Sequence, residues 1–248
     1  MCPLDNTTPY AGCRSVEALN RIIVDCRRCR RLTKYREQVA RDKRAAFRDH
    51  EYWGRPVPGY GDPRARIFVV GLAPAAHGGN RTGRVFTGDR SGDFLYAALY
   101  RAGFANQPTS VSRDDGLELT DVYIAAAARC APPDNKPTPE ELDRCRPYLI
   151  RELLLLEHAQ VIVALGQIAF DAALRSLTGA GQALSKPKPK FGHSSTCAAG
   201  PYMLVGCYHP SQRNTSTGLV TPGMYDRLLA QVQRLLHPKK ADNACHIP

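Results

Sequence analysis

Two groups of residues in this chain have types and spacings suited to chemistry. The first is the segment Gly71-Leu72-Ala73-Pro74-Ala75-Ala76-His77-Gly78-Gly79-Asn80-Arg81-Thr82-Gly83-Arg84-Val85-Phe86-Thr87-Gly88-Asp89. Its five glycines let the backbone approach a ligand closely and adopt positive φ. The stretch is about three times the usual 2–6 residues between a strand and a helix, and loops of that length inside compact domains are usually functional. The second group is four cysteines. Cys26 and Cys29 form a C-x2-C pair; Cys130 and Cys145 stand fifteen residues apart and flank Ala131-Pro132-Pro133-Asp134-Asn135-Lys136-Pro137. Four thiolates bind a zinc ion or an iron–sulfur cluster. A zinc site usually has two tight pairs, and only one pair is tight here, so the spacing leans towards a cluster. The competing reading makes Cys130 and Cys145 ordinary buried thiols and Cys26/Cys29 a chance pair. Cys2, Cys13, Cys197, Cys207 and Cys245 have no comparable spacing.

These groups must be positioned by the elements around them. Four short apolar runs recur: Ile67–Val70, Val122–Ala126, Val161–Leu165 and Tyr202–Cys207. Each is continuous rather than alternating, as expected of strands buried on both faces. Helical patterns lie between them at Gly92–Ala102, Thr138–His158 and Gly166–Leu177, and a last one at about Gly223–Leu236. Ser91 reads as the N-cap of the first of these, and Thr138-Pro139-Glu140-Glu141 as a well-made helix start. Val16 to about Asp42 reads as one helix with a very basic second half. The β-α-β-α order predicts a three-layer α/β/α single domain around a central, mainly four-stranded parallel sheet. Ligands of such sheets bind beyond the carboxyl ends of the strands. Gly71–Asp89, Arg129–Pro139 and Tyr208–Gly218 all start there, so one shared site is expected. The domain is expected over residues 15–236, with a loose leader at 1–14, a frayed tail at 237–248 and a surface loop from Thr178 to Gly200.

Composition narrows the partner. The 248 residues carry a formal net charge of +11, which points to a polyanion, most often nucleic acid. Basic residues cluster at Arg27-Arg28-Cys29-Arg30-Arg31, from Arg41 to Arg48, and at Lys186-Pro187-Lys188-Pro189-Lys190, with few aromatics among them. That pattern does not suit a stacking platform for single strands. No apolar run of about 18 residues is present, so no membrane span is expected. The N-terminus lacks a basic region followed by an apolar core, so a cytoplasmic, reducing setting is expected. Nine cysteines there argue for metal or redox chemistry rather than disulfides.

The motifs together resemble a known family. Gly71–Gly78, Asn80–Arg84 and Phe86–Asp89 look like the first motif of the family 5 (type B) uracil-DNA glycosylases. Tyr208-His209-Pro210-Ser211-Gln212-Arg213-Asn214 resembles the superfamily's late His-Pro-Ser motif. Arg129–Pro137 resembles the segment that carries a cluster cysteine in the iron–sulfur branch. The resemblance runs from about Cys26 to Leu236. It implies a [4Fe–4S] cluster on Cys26, Cys29, Cys130 and Cys145, and base excision repair of deaminated DNA by a monofunctional glycosylase. Relatives often place a polar residue where Leu72 stands. They also place an Asn before the second motif, where Ala125-Ala126-Ala127-Ala128 stands here. Both departures fit a pocket that admits hypoxanthine, xanthine or etheno-cytosine as well as uracil.

The resemblance assigns roles that each have a plainer alternative. Asp89 would position water and stabilise the sugar cation; otherwise it complements a helix dipole. Asn135 would assist catalysis; otherwise it is a turn residue. His209, neutral, would donate to the base carbonyl as charge develops. Phe86 would stack on the flipped base, or fill the core. Gly71, Leu72 and Ala73 would border the base, and Asn214 would hold the extruded nucleotide. Arg81, Arg84, Ser211, Gln212 and Arg213 would meet DNA, as would Arg27, Arg28, Arg30 and Arg31, the alternative being a solvated basic face. No lysine stands where a Schiff-base nucleophile is expected, so strand cleavage is not predicted. A monomer is expected. A non-enzymatic, zinc-stabilised nucleic-acid-binding protein is the second reading. A nucleotide-binding enzyme is disfavoured because G-x-G-x-x-G and G-x4-G-K-[ST] are both missing.

Overall fold

All four apolar runs become strands in a computed structural model, which describes residue 10, residues 12–185 and residues 187–237. In chain order the elements are α1 (Val16–Val24), α2 (Arg30–Asp42), β1 (Tyr60–Gly61), β2 (Ile67–Gly71), α3 (Gly79–Thr82), α4 (Arg90–Arg101), β3 (Val122–Ala126), α5 (Pro139–Leu155), β4 (Val161–Leu165), α6 (Gln167–Gly179), β5 (Thr196–Ala199), β6 (Tyr202–Cys207), α7 (Gln212–Ser216) and α8 (Pro222–Leu236). The sheet order is β1-β3-β2-β4-β6-β5. The four central strands are parallel, and β1 and β5 pair antiparallel at the two edges. Every residue of β2, β3 and β4 is buried. Residues alternate between two cores: Ile67, Val69 and Val163 face Leu95, Leu99 and Leu228 on α4 and α8. Phe68, Val70 and Ile162 face Leu149, Leu153, Phe170 and Leu174 on α5 and α6. Helices on both faces are what makes the parallel strands uniformly apolar. The expected three-layer α/β/α domain is therefore present, its sheet widened to six strands. Among the described residues no helix is long and apolar enough to cross a membrane.

Four expectations need correction. The helix read over 16–42 is two helices. It breaks at Asp25–Cys29, where Cys29 takes an extended backbone (φ −108°, ψ 94°) and starts α2. The C-x2-C pair thus lies on a corner rather than on a helix face. The N-cap of α4 is Asp89, not Ser91: the Asp89 carboxylate accepts from the Ser91 and Gly92 amides. The Thr178–Gly200 loop contains the edge strand β5. The leader is not loose where it is described, since Tyr10 and Cys13 are buried beside Leu19, Ile23 and Tyr148. Residues 1–9 and, apart from His237, the expected tail at 237–248 lie outside the described residues. The start of α5 is as expected, with Thr138 and Glu141 forming a reciprocal capping box ahead of Pro139.

Candidate active site

The carboxyl ends of β3, β2, β4 and β6 are neighbours in the sheet, so the three segments expected to converge leave from one edge. The strand ladder continues past β2: Ala127 donates to Gly71 O and Ala128 to Leu72 O, both at 2.9 Å. This holds the start of the glycine-rich segment flat against the second segment. Phe86 then folds back over it. A Cβ on Gly71 would sit 2.8 Å from two ring carbons of Phe86, so only glycine admits that ring. Phe86 itself takes φ 51°, a costly conformation for a bulky residue and one that clusters at functional sites. Its ring lies 6.0 Å from the His209 ring, tilted by 36°. Leu72 and Ala73 are half-buried beside this pair.

His209 follows β6 directly. Burial pushes its imidazole from the ordinary 6.5 down to about 4, so the ring is neutral near pH 7. Its carbonyl accepts from Asn214 Nδ2 at 2.8 Å. One N–H of the Asn214 side chain is thereby committed to the backbone that carries His209, leaving its second N–H and its oxygen for a ligand. Ser211 Oγ accepts from the Asn214 amide and starts α7, while Gln212 and Arg213 are exposed.

Asp89 is the helix cap of its plainer reading, with one oxygen left over. Oδ1 caps α4 through 3.0 Å bonds from Ser91 and Gly92. Oδ2 points to Gly78, where any Cβ would overlap it. Burial raises the carboxyl above its ordinary 3.8, against the pull of the two amide bonds. Asn135 ends a short turn, Pro133–Asn135, with φ 56°, and is exposed. His77, in the same glycine-rich segment, meets Tyr52 Oη at 3.0 Å through Nδ1. Burial, with Arg44 and Arg81 nearby, lowers its pKa.

Two arginines expected to meet DNA do not present themselves to it. Arg84 is 2% exposed: its guanidinium donates to both Asp115 oxygens, Ser110 Oγ and Thr87 Oγ1 at 2.8–2.9 Å. Arg81 is 7% exposed and donates to the His77 and Gly88 carbonyls. Both fold the loop instead of facing solvent. Arg27 and Arg31 are also paired, with Glu37 and Glu141. Arg28 and Arg30 are exposed.

The four cysteines are free thiols at the junction of α2, the β3 end and α5, three of them buried and Cys26 half-buried. Burial pushes Cys130 up to about 12 and Cys145 up to about 11, and each also feels Cys26. Burial likewise raises Cys29, with Cys26 adding to it. Arg36, 2% exposed, donates from Nη1 to Cys130 Sγ at 3.0 Å and from Nη2 to the Cys26 carbonyl. Its Nε has no partner among the described residues. Sequence reading missed Arg36, although it stands seven residues after Cys29 and so on the same helix face. Among the described residues no set of three or more histidine, cysteine or carboxylate side chains is gathered as a metal-holding group.

A mixed sheet with a parallel centre, and with a glycine-rich loop, a buried carboxylate and a neutral histidine at its carboxyl edge, defines an α/β protein of the kind whose ligands bind at that edge. The comparisons give the family. The model of the Uracil DNA glycosylase superfamily matches residues 58–233. The chain is 53% identical over 226 residues to the type-5 uracil-DNA glycosylase of Mycobacterium bovis, covering 90% of this chain and 83% of that protein. It is 49% identical over 220 residues to the type-5 enzyme of Thermus thermophilus, covering 88% and 97%. It is 31% identical over 163 residues to the type-4 enzyme of Pyrobaculum aerophilum, covering 65% and 74%. The chain belongs to the uracil-DNA glycosylase superfamily and stands with its type-5 members.

Proposed function

We propose that this protein is a monofunctional DNA glycosylase that hydrolyses the N-glycosidic bond of uracil in DNA, acting as a cytoplasmic monomer in base excision repair. The observation that carries the reading is the pairing of Phe86 with a neutral His209 at the mouth of Gly71. The flipped base stacks on Phe86, with the backbone of Gly71–Ala73 along its edge. As the C1′–N bond breaks, its electron pair moves onto the base and His209 donates a hydrogen bond to the base carbonyl. A neutral donor suits this step, because it needs no proton taken up from solvent. Positive charge builds on the sugar, and the Asp89 carboxylate faces it, orients the water whose oxygen bonds to C1′ and takes up the proton that water loses. Asn135 assists from the rim of the second segment.

Cys26, Cys29, Cys130 and Cys145 supply the four thiolate donors that a [4Fe–4S] cluster needs and would hold one there. Four thiols within one another's electrostatic reach are costly to ionise by burial alone. The Arg36 guanidinium, aimed at Cys130 with its Nε unpaired, supplies the compensating charge. Held by these residues, a cluster would tie the α1–α2 corner to α5 and would supply structure rather than a redox step. Arg28, Arg30, Gln212 and Arg213 are the exposed groups suited to phosphate contacts. Leu219, 51% exposed at the end of the same loop, suits insertion into the base stack. The apolar Leu72 and the alanine run extend the expected range to hypoxanthine, xanthine and etheno-cytosine.

The test incubates purified protein with duplexes carrying each of these bases, with no divalent metal added. Release of free uracil, lost in Asp89→Ala, is expected. Binding without base release would leave the zinc-stabilised binding protein as the better reading. A colourless protein would favour the same reading, since a cluster absorbs broadly in the visible.

A further inference from the structure

The segment between α6 and β5 takes no part in the reaction above, yet it backs the strand that presents His209. Ser194 N donates to Gly206 O, and Gly206 N donates to Ser195 O, both at 2.8 Å. The approach is so close that a Cβ on Gly206 would overlap the Gly192 carbonyl oxygen. The Phe191 and His193 rings pack on Tyr208, at centroid distances of 5.9 and 5.3 Å. From this platform one polar bond reaches the catalytic edge: the Tyr208 amide donates to His193 Nδ1 at 3.2 Å. A backbone amide only donates, so Nδ1 must carry a lone pair. The neighbouring groups are held as firmly. Tyr225 Oη donates to Tyr208 O at 2.8 Å, and Asn214 Nδ2 donates to His209 O at 2.8 Å. Pro210 follows, with no amide hydrogen to hold. The Tyr208–His209 backbone is therefore gripped at three points by side chains from three different elements.

We infer that His193 is a positioning residue: with Tyr225 and Asn214 it clamps the Tyr208–His209 backbone, and its unprotonated Nδ1 sets where the His209 ring points. The inference rests on His209 acting on the base as proposed above. The surroundings of His193 keep Nδ1 free. The Tyr208 and Tyr225 rings cover it, and Arg227 is the cation nearby; burial lowers the ring's pKa, Arg227 adds to this, and a hydrogen bond with the Met224 backbone opposes it. A misplaced donor costs rate without costing DNA affinity, because the phosphate contacts lie elsewhere.

The test compares three variants at His193. His193→Asn keeps an acceptor at the δ position, His193→Gln moves it one bond outward, and His193→Ala removes it. Single-turnover uracil excision in the Gln and Ala variants should fall on the order of tenfold, the size of one lost hydrogen bond. The Asn variant should recover most of that rate, and Kd for duplex DNA should stay within about twofold in all three. A second readout needs no activity. Histidine side-chain NMR, assigned with His209→Ala, follows the His209 titration. The midpoint near 4 should persist in the Asn variant and move towards 6.5 in the Gln variant as the ring gains water. The clamp is overturned if Gln excises as fast as wild type, if Asn recovers nothing over Gln, or if only Kd changes. A wild-type protein that releases no uracil would sink the glycosylase reading instead, while the NMR comparison still judges the clamp.

Discussion

His209 ties the chemistry of the site to the stability of the fold, and the tie has a sign and a size. Burial takes the imidazole from 6.5 to about 4. Between those values the unfolded chain binds a proton that the folded protein refuses, so stability rises with pH across the window. Above pH 6.5 both states hold a neutral ring and the contribution is complete. At about 1.4 kcal/mol per pH unit, acidification from about pH 7.5 to about pH 5 removes about 2 kcal/mol, and to about pH 4 about 3 kcal/mol. Other groups titrate in the same range, so the useful quantity is a difference. His209→Asn removes the titration and leaves every other group in place. Urea unfolding of both proteins, followed through the single tryptophan, Trp53, gives that difference at each pH. Wild type should lose about 2 kcal/mol relative to the variant between about pH 7.5 and about pH 5. A difference that stays flat would refute the claim that burial holds the ring neutral. A difference that grows in favour of wild type on acidification would mean that the cationic ring finds a partner in the fold. Excision should in turn keep its rate through about pH 6, where a histidine with an ordinary pKa would already be about three-quarters protonated.

Three further perturbations test the cap and the placement of the arginines. Gly78→Ala places a methyl on Asp89 Oδ2, so excision should fall at least about tenfold, with a stability loss of about 1 kcal/mol from the disturbed cap; an unchanged kcat would show that Oδ2 is idle. Arg84→Met strands the buried Asp115 carboxylate and should cost about 3–5 kcal/mol in thermal or urea unfolding. The salt dependence of DNA affinity should not change in that variant, whereas Arg213→Ala should reduce the salt slope by about one phosphate contact.

The sheet was legible because its strands are uniformly apolar and end where the glycine-rich, Pro-Pro-Asp-Asn and His-Pro-Ser segments begin. The edge strands were not. Tyr60–Gly61 is two residues long, and Thr196–Ala199 is largely exposed, so neither carries a hydrophobic pattern. The break at Asp25–Cys29 was hidden because no glycine or proline marks it; it comes from the chain turning to bring Cys26 and Cys29 to the end of β3. Arg81 and Arg84 misled for a related reason. A guanidinium in a glycine-rich loop reads as a phosphate contact from sequence, and only the distant Asp115 and Ser110 show that it is spent inside. His193 left no mark at all, since its partner is a backbone amide.

Asp89 shows why a helix cap and a catalytic carboxylate need not be rival readings. A carboxylate in a buried site drifts towards the protonated form, which could not stabilise a sugar cation. Two amides at the N-terminus of α4 pull it back towards the anion through charge-assisted hydrogen bonds and the helix dipole. They take one oxygen, Oδ1, and fix the rotamer. Gly78 leaves room for the other oxygen and nothing more. In the proposed reaction the cap would favour the anion and hold its orientation, so that the carboxylate need not be ordered as the bond breaks. His209 is the converse case: its burial keeps it neutral, so in the proposed reaction its hydrogen bond to the departing base needs no proton taken up from solvent. In the proposed reaction, the amide cap on Asp89 and the burial of His209 favour the two protonation states that N-glycosidic cleavage needs.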